Sequence, residues 1–529
     1  MDIYFPRDGI KAEAREGDNL LDVIRAAGLS IEADCSGMRT CGMCKVRVNG
    51  ALRLACETAA EDGMRVELLA SSEGHVILTD SFTDETEHSR DGSFYVRSRT
   101  QKEPSLLCSS PSPLRLAFAI DVGTTTVVIK AIDTGSSDEV GVRAFVNPQR
   151  AYGADVISRI NNSMDDATEL SELIKGAIDR AIESIMFDEG AGAVTKNVVI
   201  AGNTTMMYLL LNLRCRSLGL APFEPEFAIE PVYEYEDIFG TKTLDCPVLI
   251  YPFISAYVGG DIVSGLVNIE RRIESGFHES YMLIDMGTNG EIAYRDGARL
   301  ITTSTAAGPA LEGGNITCGM GGLPGAIFKA KYAGDGKFTY ETIGGLPARG
   351  ICGSGVISLM AALLDAGLVS ESGAFTEEAE RLAEITDGAP AQKQLVIAEP
   401  PHTGTGKRVV FTQKDIREFQ LAKGAIRAGL DILTEEMGEH PHTLYLAGGF
   451  GQSIELKSAF RTGLIPASLM GHILFVGNTS LGGCVIACLE CDARGPLPLL
   501  YMTGRTQEIN LGSHKSFNEK FMESMMFEV

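Results

Sequence analysis

The sequence predicts a multidomain α/β protein in which a small metal-binding unit precedes two homologous α/β halves. Three observations lead there. Four cysteines, Cys35, Cys41, Cys44 and Cys56, fall close together near the amino end, three of them in the glycine-containing stretch DCSGMRTCGMCKVRV. A loop of the form Asp-X-Gly-Thr occurs twice, at Asp121 and Asp285, each time on an apolar run, AIDVGTT and LIDMGTNGE. An apolar run closing in Ala-Gly also occurs twice, VVIAGNTT from Val198 and LYLAGGFG from Leu444. At 529 residues the chain has material for three or four domain-sized units, and 44% hydrophobic with 22% charged residues is the composition of a globular protein with a large core.

The first unit is expected over residues 1–75. Two short extended stretches at 3–5 and 11–14 precede a helical pattern over 18–28, with Asp18 as its cap and Gly28 as its stop. The polar–apolar alternation of KVRV (45–48) and MRVELL (64–69) suits half-buried strands, and the order of elements fits a β-grasp fold. Five residues separate Cys35 from Cys41, two separate Cys41 from Cys44, and eleven separate Cys44 from Cys56. This is the plant-type ferredoxin spacing with one extra residue in the first gap. One loop delivers three thiolates and a strand end the fourth, which is what a [2Fe–2S] cluster requires. Gly37 and Gly42 let the backbone bend round it and aim N–H groups at its sulfurs. A four-cysteine zinc site would instead show two closely spaced pairs.

Residues 76–114 are polar and end in SSPSP, so they read as a linker. A flexible chain of roughly forty residues spans on the order of 35 Å, enough for the cluster to swing between donor and acceptor.

The duplicated part covers 115–529, with halves at about 115–275 and 276–529. Gly202 follows Asp121 by 81 residues and Gly448 follows Asp285 by 163, so the second half holds a larger insertion. Four glycine-rich loops are expected round one cleft, a usual place for a nucleotide. Glycine lets backbone N–H groups approach phosphate, threonine hydroxyls add donors, and aspartates hold Mg2+ through water. The candidate nucleotide-binding residues are Gly123, Thr124 and Thr125, then Gly287, Thr288 and Asn289, with Gly308, Gly448 and Gly449. Asp121 and Asp285 are the metal-side acids, and Glu291 either orients an attacking water or is a solvated strand-end carboxylate. The loops AAGPALEGG (306–314) and GICGSG (350–355) either line this cleft or serve as packing turns.

Other cysteines carry no cofactor expectation. Cys318 and Cys352 read as buried thiols. Cys484, Cys488 and Cys491 recur at i, i+4 and i+7, one face of a helix, and no fourth neighbouring cysteine completes a ferredoxin-type run. The amphipathic tail at 517–529 is expected to pack on its own domain.

With 46 Lys plus Arg against 70 Asp plus Glu, the formal charge is −24, which disfavours nucleic acid and anionic membrane surfaces. No apolar run has bilayer length, and the first residues lack a basic stretch followed by an apolar one, so a cytoplasmic location is expected. Twelve cysteines in that setting are thiols or ligands rather than a disulfide framework.

The two Asp-X-Gly-Thr loops resemble the phosphate motifs, and the Gly448-Gly449 turn the adenosine motif, of the acetate and sugar kinase, Hsp70 and actin (ASKHA) superfamily. More narrowly, AGNTTMMYLLL from Ala201, PFISAYVGGDI from Pro252, DMGTNGEI from Asp285, STAAGPALEGGNITCGM from Ser304, GICGSG from Gly350, TQKDIREFQLAKGAIRAG from Thr412 and LAGGFG from Leu446 resemble the reductive activators of corrinoid proteins. The likeness spans 1–75 and 115–529. It implies a β-grasp ferredoxin joined to a duplicated, actin-like ATPase. It further implies an ATP-dependent electron donor that returns a Co(II) corrinoid protein to Co(I), is reduced by an upstream low-potential donor, and works as a homodimer. Longer members of that family insert a middle domain after the ferredoxin, where this chain is expected to have only the linker. Another branch carries additional cysteine-rich [4Fe–4S] sequence at its carboxyl end, which is not found here. Competing readings are an ATP-dependent donor to another low-potential enzyme, a small-molecule kinase regulated by a ferredoxin domain, and a redox-sensing scaffold without turnover.

Overall fold

A computed structural model of the chain describes residues 2–6, 10–15, 17–27, 29, 45–49, 51–68, 86–88, 94–96, 114–153, 155–189, 192–271, 273, 280–287, 289–297, 299–385, 393–448, 454–469, 472–491 and 506–528. The amino-terminal unit opens with an antiparallel hairpin, β1 (Asp2–Phe5) and β2 (Ile10–Glu13). Helix α1 (Leu20–Ala26) buries Leu20, Leu21, Val23 and Ile24. Its cap is Asn19 rather than Asp18: Asn19 takes the extended geometry of a cap and accepts from the Leu21 N–H at 3.0 Å, while Asp18 accepts from the Arg15 N–H. The expected stop at Gly28 lies outside the described residues. Strands β3 (Lys45–Val48), β4 (Ala51–Leu54) and β5 (Val66–Leu68) form a sheet in the order β4-β3-β5. Ile3, Phe5, Leu20, Ile24, Val46 and Val66 close a small core, as a β-grasp requires. Within the stretch read as a linker, β6 (Thr86–His88) and β7 (Phe94–Val96) pair antiparallel.

Next comes the first α/β half. Strands β8 (Arg115–Val122), β9 (Thr126–Asp133) and β10 (Glu139–Val146) make an antiparallel meander. Helices α2 (Val156–Asn162) and α3 (Thr168–Glu189) follow, then β11 (Val194–Gly202), α4 (Thr204–Leu210), α5 (Arg216–Gly219), β12 (Val232–Glu234), α6 (Tyr235–Phe239), β13 (Pro247–Ile250) and α7 (Gly260–Glu270). On α3, Leu170, Ile174, Ile178, Ile182 and Ile185 recur at helical spacing and are buried against the sheet. The strand order is β10-β9-β8-β11-β13-β12, with β11 parallel to both β8 and β13.

The second half begins with β14 (Tyr281–Met286), β15 (Gly290–Asp296) and β16 (Arg299–Thr305). Its insertion then supplies β17 (Ala326–Gly334), β18 (Lys337–Thr342), β19 (Gly350–Ile351), α8 (Gly353–Asp365), α9 (Glu377–Leu382), β20 (Glu384–Ile385), β21 (Lys393–Ala398) and β22 (Val409–Thr412). These strands form two three-stranded sheets, which account for the longer spacing read in the sequence. Helix α10 (Gln413–Met437) starts from a capping box of Thr412 and Asp415. The half finishes with β23 (Thr443–Ala447), α11 (Leu456–Arg461), β24 (His472–Gly477), α12 (Thr479–Glu490), β25 (Thr506–Glu508) and α13 (Phe517–Met525).

Its main sheet runs β24-β23-β14-β15-β16-β25. Read from β16 to β24 this is the order of β10 to β13 in the first half, with the same antiparallel meander and the same parallel strands. The duplication inferred from two pairs of motifs is therefore a duplication of topology. The tail helix α13 packs on α10, with the Phe419 and Phe527 rings stacked at 6.3 Å.

Contacts divide the chain into two compact units. One holds Met1–Glu73, Ser109–Asp261 and Cys484–Pro498; the other holds Gly74–Cys108, Ile262–Gly483 and Leu499–Val529. The boundary thus falls at 261/262, and the end of α12 belongs with the first sheet: Lys196 Nζ donates to the carbonyls of Cys488 and Leu489, and the Cys484 thiol to that of Ile120.

Candidate functional site

Of the four proposed cluster ligands, Cys35, Cys41 and Cys44 lie outside the described residues. Cys56 sits in a 3-10 turn directly after β4, is 1% exposed and forms no disulfide. Register explains why a strand end supplies it. Lys45, the first residue after the cysteine loop, pairs with Leu54, so the chain leaving that loop runs beside the turn that carries Cys56. The Asn19 side chain donates to the Cys56 carbonyl at 3.0 Å, fixing that turn to the start of α1. A buried thiol at that place fits the fourth position of a [2Fe–2S] site.

In the first half, the turn Gly123-Thr124-Thr125 joins β8 to β9. It closes through Gly123 N–H to Thr126 O at 2.9 Å, and a Cβ at Gly123 would fall 2.7 Å from that same oxygen. Every carbonyl in the turn is held. Asn147 Nδ2 donates to Gly123 O at 2.8 Å, the Asn147 backbone N–H to Thr125 O at 2.9 Å, and Arg159 to Thr124 O. Asn203, the cap of α4, donates to the Thr124 hydroxyl at 3.0 Å. Asp121 stands half-exposed on β8 between Val128 and Ala201 of the flanking strands. A Cβ at Gly202 would meet Val122 O at 2.7 Å, so the Ala-Gly turn lies against the base of the hairpin.

The second half repeats this arrangement. Gly287 N–H donates to Asn289 O at 2.9 Å, and a Cβ at Gly448, which has φ +85°, would fall 2.6 Å from Asp285 Oδ1 and 3.1 Å from Met286 O. Met286 is the counterpart of Val122, so both Ala-Gly turns approach the same point of their hairpins. Asp285 pairs directly with Glu291 across β14 and β15, which puts both carboxylates on one face of the sheet. Glu312, not singled out from the sequence, brings Oε1 within 3.6 Å of where a Gly287 Cβ would be. Thr288 and Gly449 lie outside the described residues. Among the described residues no group of three His, Cys, Asp or Glu side chains is placed to ligate a metal directly.

The remaining glycine loops divide by role. Gly308 has φ +74° and open space where a Cβ would stand, so it stays with the candidate set. Gly350 would meet Cys318 O at 2.6 Å, and Gly355 packs against the Ile327 carbonyl, so GICGSG is a packing turn at the start of α8. Cys318 accepts from the Val410 N–H, and burial pushes its thiol pKa up; Cys352 donates to Ile327 O. Cys484 and Cys488 are buried on α12 and Cys491 just past its end, and burial holds Cys488 well above the usual thiol range, far from the thiolate a cluster needs.

A ferredoxin-type fold with a buried cysteine directly after β4, joined to a duplicated sheet with matching glycine hairpin turns, defines an iron–sulfur protein with an ASKHA nucleotide-binding domain. Family models agree. A 2Fe-2S iron–sulfur cluster binding domain matches residues 5–69, the RACo middle region matches 116–272, and the C-terminal ASKHA domain of RACo matches 279–529. The chain is 31% identical over 438 residues to the corrinoid activation enzyme RamQ of Eubacterium limosum, covering 78% of this chain and 70% of that one. It is 27% identical to the [Co(II) methylated amine-specific corrinoid protein] reductase of Methanosarcina barkeri, over 69% and 68% of the two chains. A solved structure described as a reductive activator for a corrinoid, iron–sulfur protein superimposes with a TM-score of 0.67 at 26% identity, over 99% of this chain and 98% of that one. This chain belongs to the reductive activators of corrinoid proteins. The family's middle region has its counterpart at 116–272, the stretch read from sequence as the first ATPase half, which corrects the expectation that only a linker stands in its place.

Proposed function

We propose that this chain couples ATP binding and hydrolysis to the transfer of one electron to the Co(II) centre of a corrinoid protein, which returns it to Co(I) for methyl transfer. The observation that carries the reading is the joining, in one chain, of a ferredoxin cysteine pattern to two phosphate-type hairpin turns, in the company of relatives that reduce or activate corrinoid proteins. The bound cluster supplies a one-electron carrier. The chain's part is to hold it with Cys35, Cys41, Cys44 and Cys56, and to seat the nucleotide phosphates on the N–H groups and hydroxyls of Gly123–Thr125 and Gly287–Asn289. Asp121 and Asp285 take Mg2+ through water, and Glu291, directly opposite Asp285, orients the attacking water.

ATP is needed because the transfer is uphill when the corrinoid couple lies below that of the cluster. Each 0.1 V of gap costs about 2.3 kcal/mol per electron. Binding energy that favours one conformation of the complex offsets that cost, and hydrolysis releases the partner. A low-potential protein upstream supplies the electron, and the working form is a homodimer in the cytoplasm. No helix among the described residues is long and apolar enough to cross a membrane. The test is anaerobic: the protein, a low-potential reductant and a Co(II) corrinoid protein are mixed with and without ATP, and Co(I) absorbance is followed. Co(I) that forms only with ATP and this protein, and not with Cys41→Ser, supports the proposal. No Co(I) from several corrinoid partners, despite an intact cluster and measurable hydrolysis, overturns it.

A further inference from the structure

Arg159 is fully buried on α2. Its Nε donates to Gly153 O at 2.9 Å, one terminal nitrogen reaches Met206 Sδ at 3.2 Å, and the other donates to the carbonyl of Thr124. All three partners are uncharged. The nearest acid, Asp155, spends its two oxygens capping α2, accepting from the Ser158 N–H and hydroxyl at 2.8 Å each. No carboxylate among the described residues hydrogen-bonds to this guanidinium. Burial lowers its pKa to about 9, with Arg150 adding to the effect and Asp155 opposing it, so it still carries its charge at neutral pH. A buried cation without an acid is costly unless something anionic compensates it.

The place of that cation supplies the reason. In a trans peptide the carbonyl and the following N–H point in opposite directions. Holding Thr124 O towards the interior therefore aims the Thr125 N–H away from it, on the half-exposed side of the turn. Asn147 does the same for the next donor back: with Gly123 O drawn inward, the Thr124 N–H turns outward. Asn203 meanwhile fixes the Thr124 hydroxyl from the cap of α4. Three elements, α2, α4 and the end of β10, thus converge on one three-residue turn. The effect is two successive N–H donors facing out with a positive charge that no carboxylate hydrogen-bonds behind them, which is the arrangement of an anion-binding nest.

We infer that Arg159 is the positioning residue of the first phosphate turn: it holds the Thr124 carbonyl inward, and its charge is compensated by the phosphates of the bound nucleotide rather than by any side chain. This rests on the reading of Gly123–Thr125 as a phosphate turn. The residue touches no reacting atom and acts through the turn it holds.

The test compares ATP with adenosine, which has the same base and sugar but no phosphate, by competition against a fluorescent ADP analogue on the full-length protein with its cluster. Arg159→Met removes the charge and the donors while keeping an apolar stem. Expected are at least a tenfold loss of ATP affinity and an adenosine affinity within twofold of the unaltered protein, with the cluster spectrum unchanged. Arg159→Lys keeps the charge but cannot serve Gly153 and Thr124 together, and should fall between the two. If Arg159→Met does not fold, Arg159→Gln carries the test by the same criterion, since it keeps a side-chain NH2 donor and no charge. Equal losses for ATP and adenosine would make the residue merely structural and overturn the inference, as would an ATP affinity within twofold of the unaltered protein. Failure of the unaltered protein to bind ATP would instead overturn the phosphate-turn reading on which the inference stands.

Discussion

Replacing Gly448 with alanine tests the second half most sharply, because two separate costs meet there. The residue has φ +85°, a region where an L side chain is disfavoured by about 1–2 kcal/mol. The new Cβ would also fall 2.6 Å from Asp285 Oδ1, closer than carbon and oxygen tolerate, and the backbone cannot yield because β14 is paired on both sides, with β15 and β23. The Asp285 carboxylate must therefore turn away. Together these costs are about 2–3 kcal/mol, which for a unit of this size lowers the melting temperature by about 5–10 °C. Gly438 separates the terms. It has φ +83° at the end of α10 and nothing within 4 Å of the position its Cβ would take. Gly438→Ala should cost only the backbone term, about 1 kcal/mol. The assay is thermal melting of both variants, with ATP titrated into each in the presence of Mg2+. Gly448→Ala should melt lower than Gly438→Ala and bind ATP at least tenfold more weakly, whereas Gly438→Ala should bind it normally. Equal melting shifts, with ATP affinity intact in Gly448→Ala, would refute the placing of Asp285 and Gly448 in one nucleotide site.

Three further outcomes are expected. Cys56→Ser, a near-isosteric change at a buried thiol, should leave the amino-terminal unit folded and abolish the [2Fe–2S] absorbance, measured with iron content; an unaltered spectrum would assign the fourth ligand elsewhere. Glu291→Gln should cut ATP hydrolysis at least tenfold while ATP affinity stays within threefold, whereas unchanged turnover would leave Glu291 as a strand-end carboxylate. Lys423 is buried on α10 beneath Phe527, and burial, aided by Arg427 and opposed by Glu528, lowers its pKa to about 8. Because the unfolded chain keeps that proton up to about 10.5, stability should rise with pH between about 8 and 10.5, by about 1 kcal/mol per unit. Below pH 8 both states are protonated and the slope vanishes. The rise should be absent in Lys423→Met, and identical pH profiles for the two proteins would show that Lys423 does not titrate in that range.

The features legible in the sequence are those written locally. Cysteine spacing and the two Asp-X-Gly-Thr loops each occupy a few consecutive residues, so the ferredoxin unit and the duplication could be read from them. The cap of α1 moved by one residue because Asp18 and Asn19 are both good caps, and only the backbone angles of Asn19 choose between them. Arg159 and Asn147 were missed for a different reason. They reach the phosphate turn from 35 and 24 residues away, and nothing local marks a buried arginine on an otherwise ordinary short helix. Glu312 was passed over within a motif already noted for its glycines. Glycine density likewise could not separate Gly308, which faces open space, from Gly355, which lies against a carbonyl. That the end of α12 belongs with the first sheet escaped because Lys196 reaches it from 292 residues away.

The two hairpin turns share a backbone plan and differ in electrostatic sign, and the difference fits a division of labour that duplication alone does not require. In the first half Asp121 stands opposite Val128, and the guanidinium of Arg159 holds the turn from behind. In the second, Asp285 stands opposite Glu291, with Glu312 close to Gly287. Carboxylates directly across a strand pair repel by up to about 1 kcal/mol, and a hydrated divalent cation screens that repulsion. A buried guanidinium without an acid is in the opposite position and gains from a phosphate. On the proposed function, the guanidinium of the first half favours the anion of Mg-ATP and the facing carboxylates of the second favour its cation. Ligand that binds only the folded state stabilises it by RT ln(1 + [L]/Kd), so ATP with Mg2+ should raise the melting temperature more than ATP with a chelator. The increment from Mg2+ should shrink in Asp285→Asn, where Asp121 remains, while the increment from phosphate should shrink in Arg159→Met. If a single variant removed both increments, the cation and the phosphates would share one set of protein groups, and the division between the halves would be wrong.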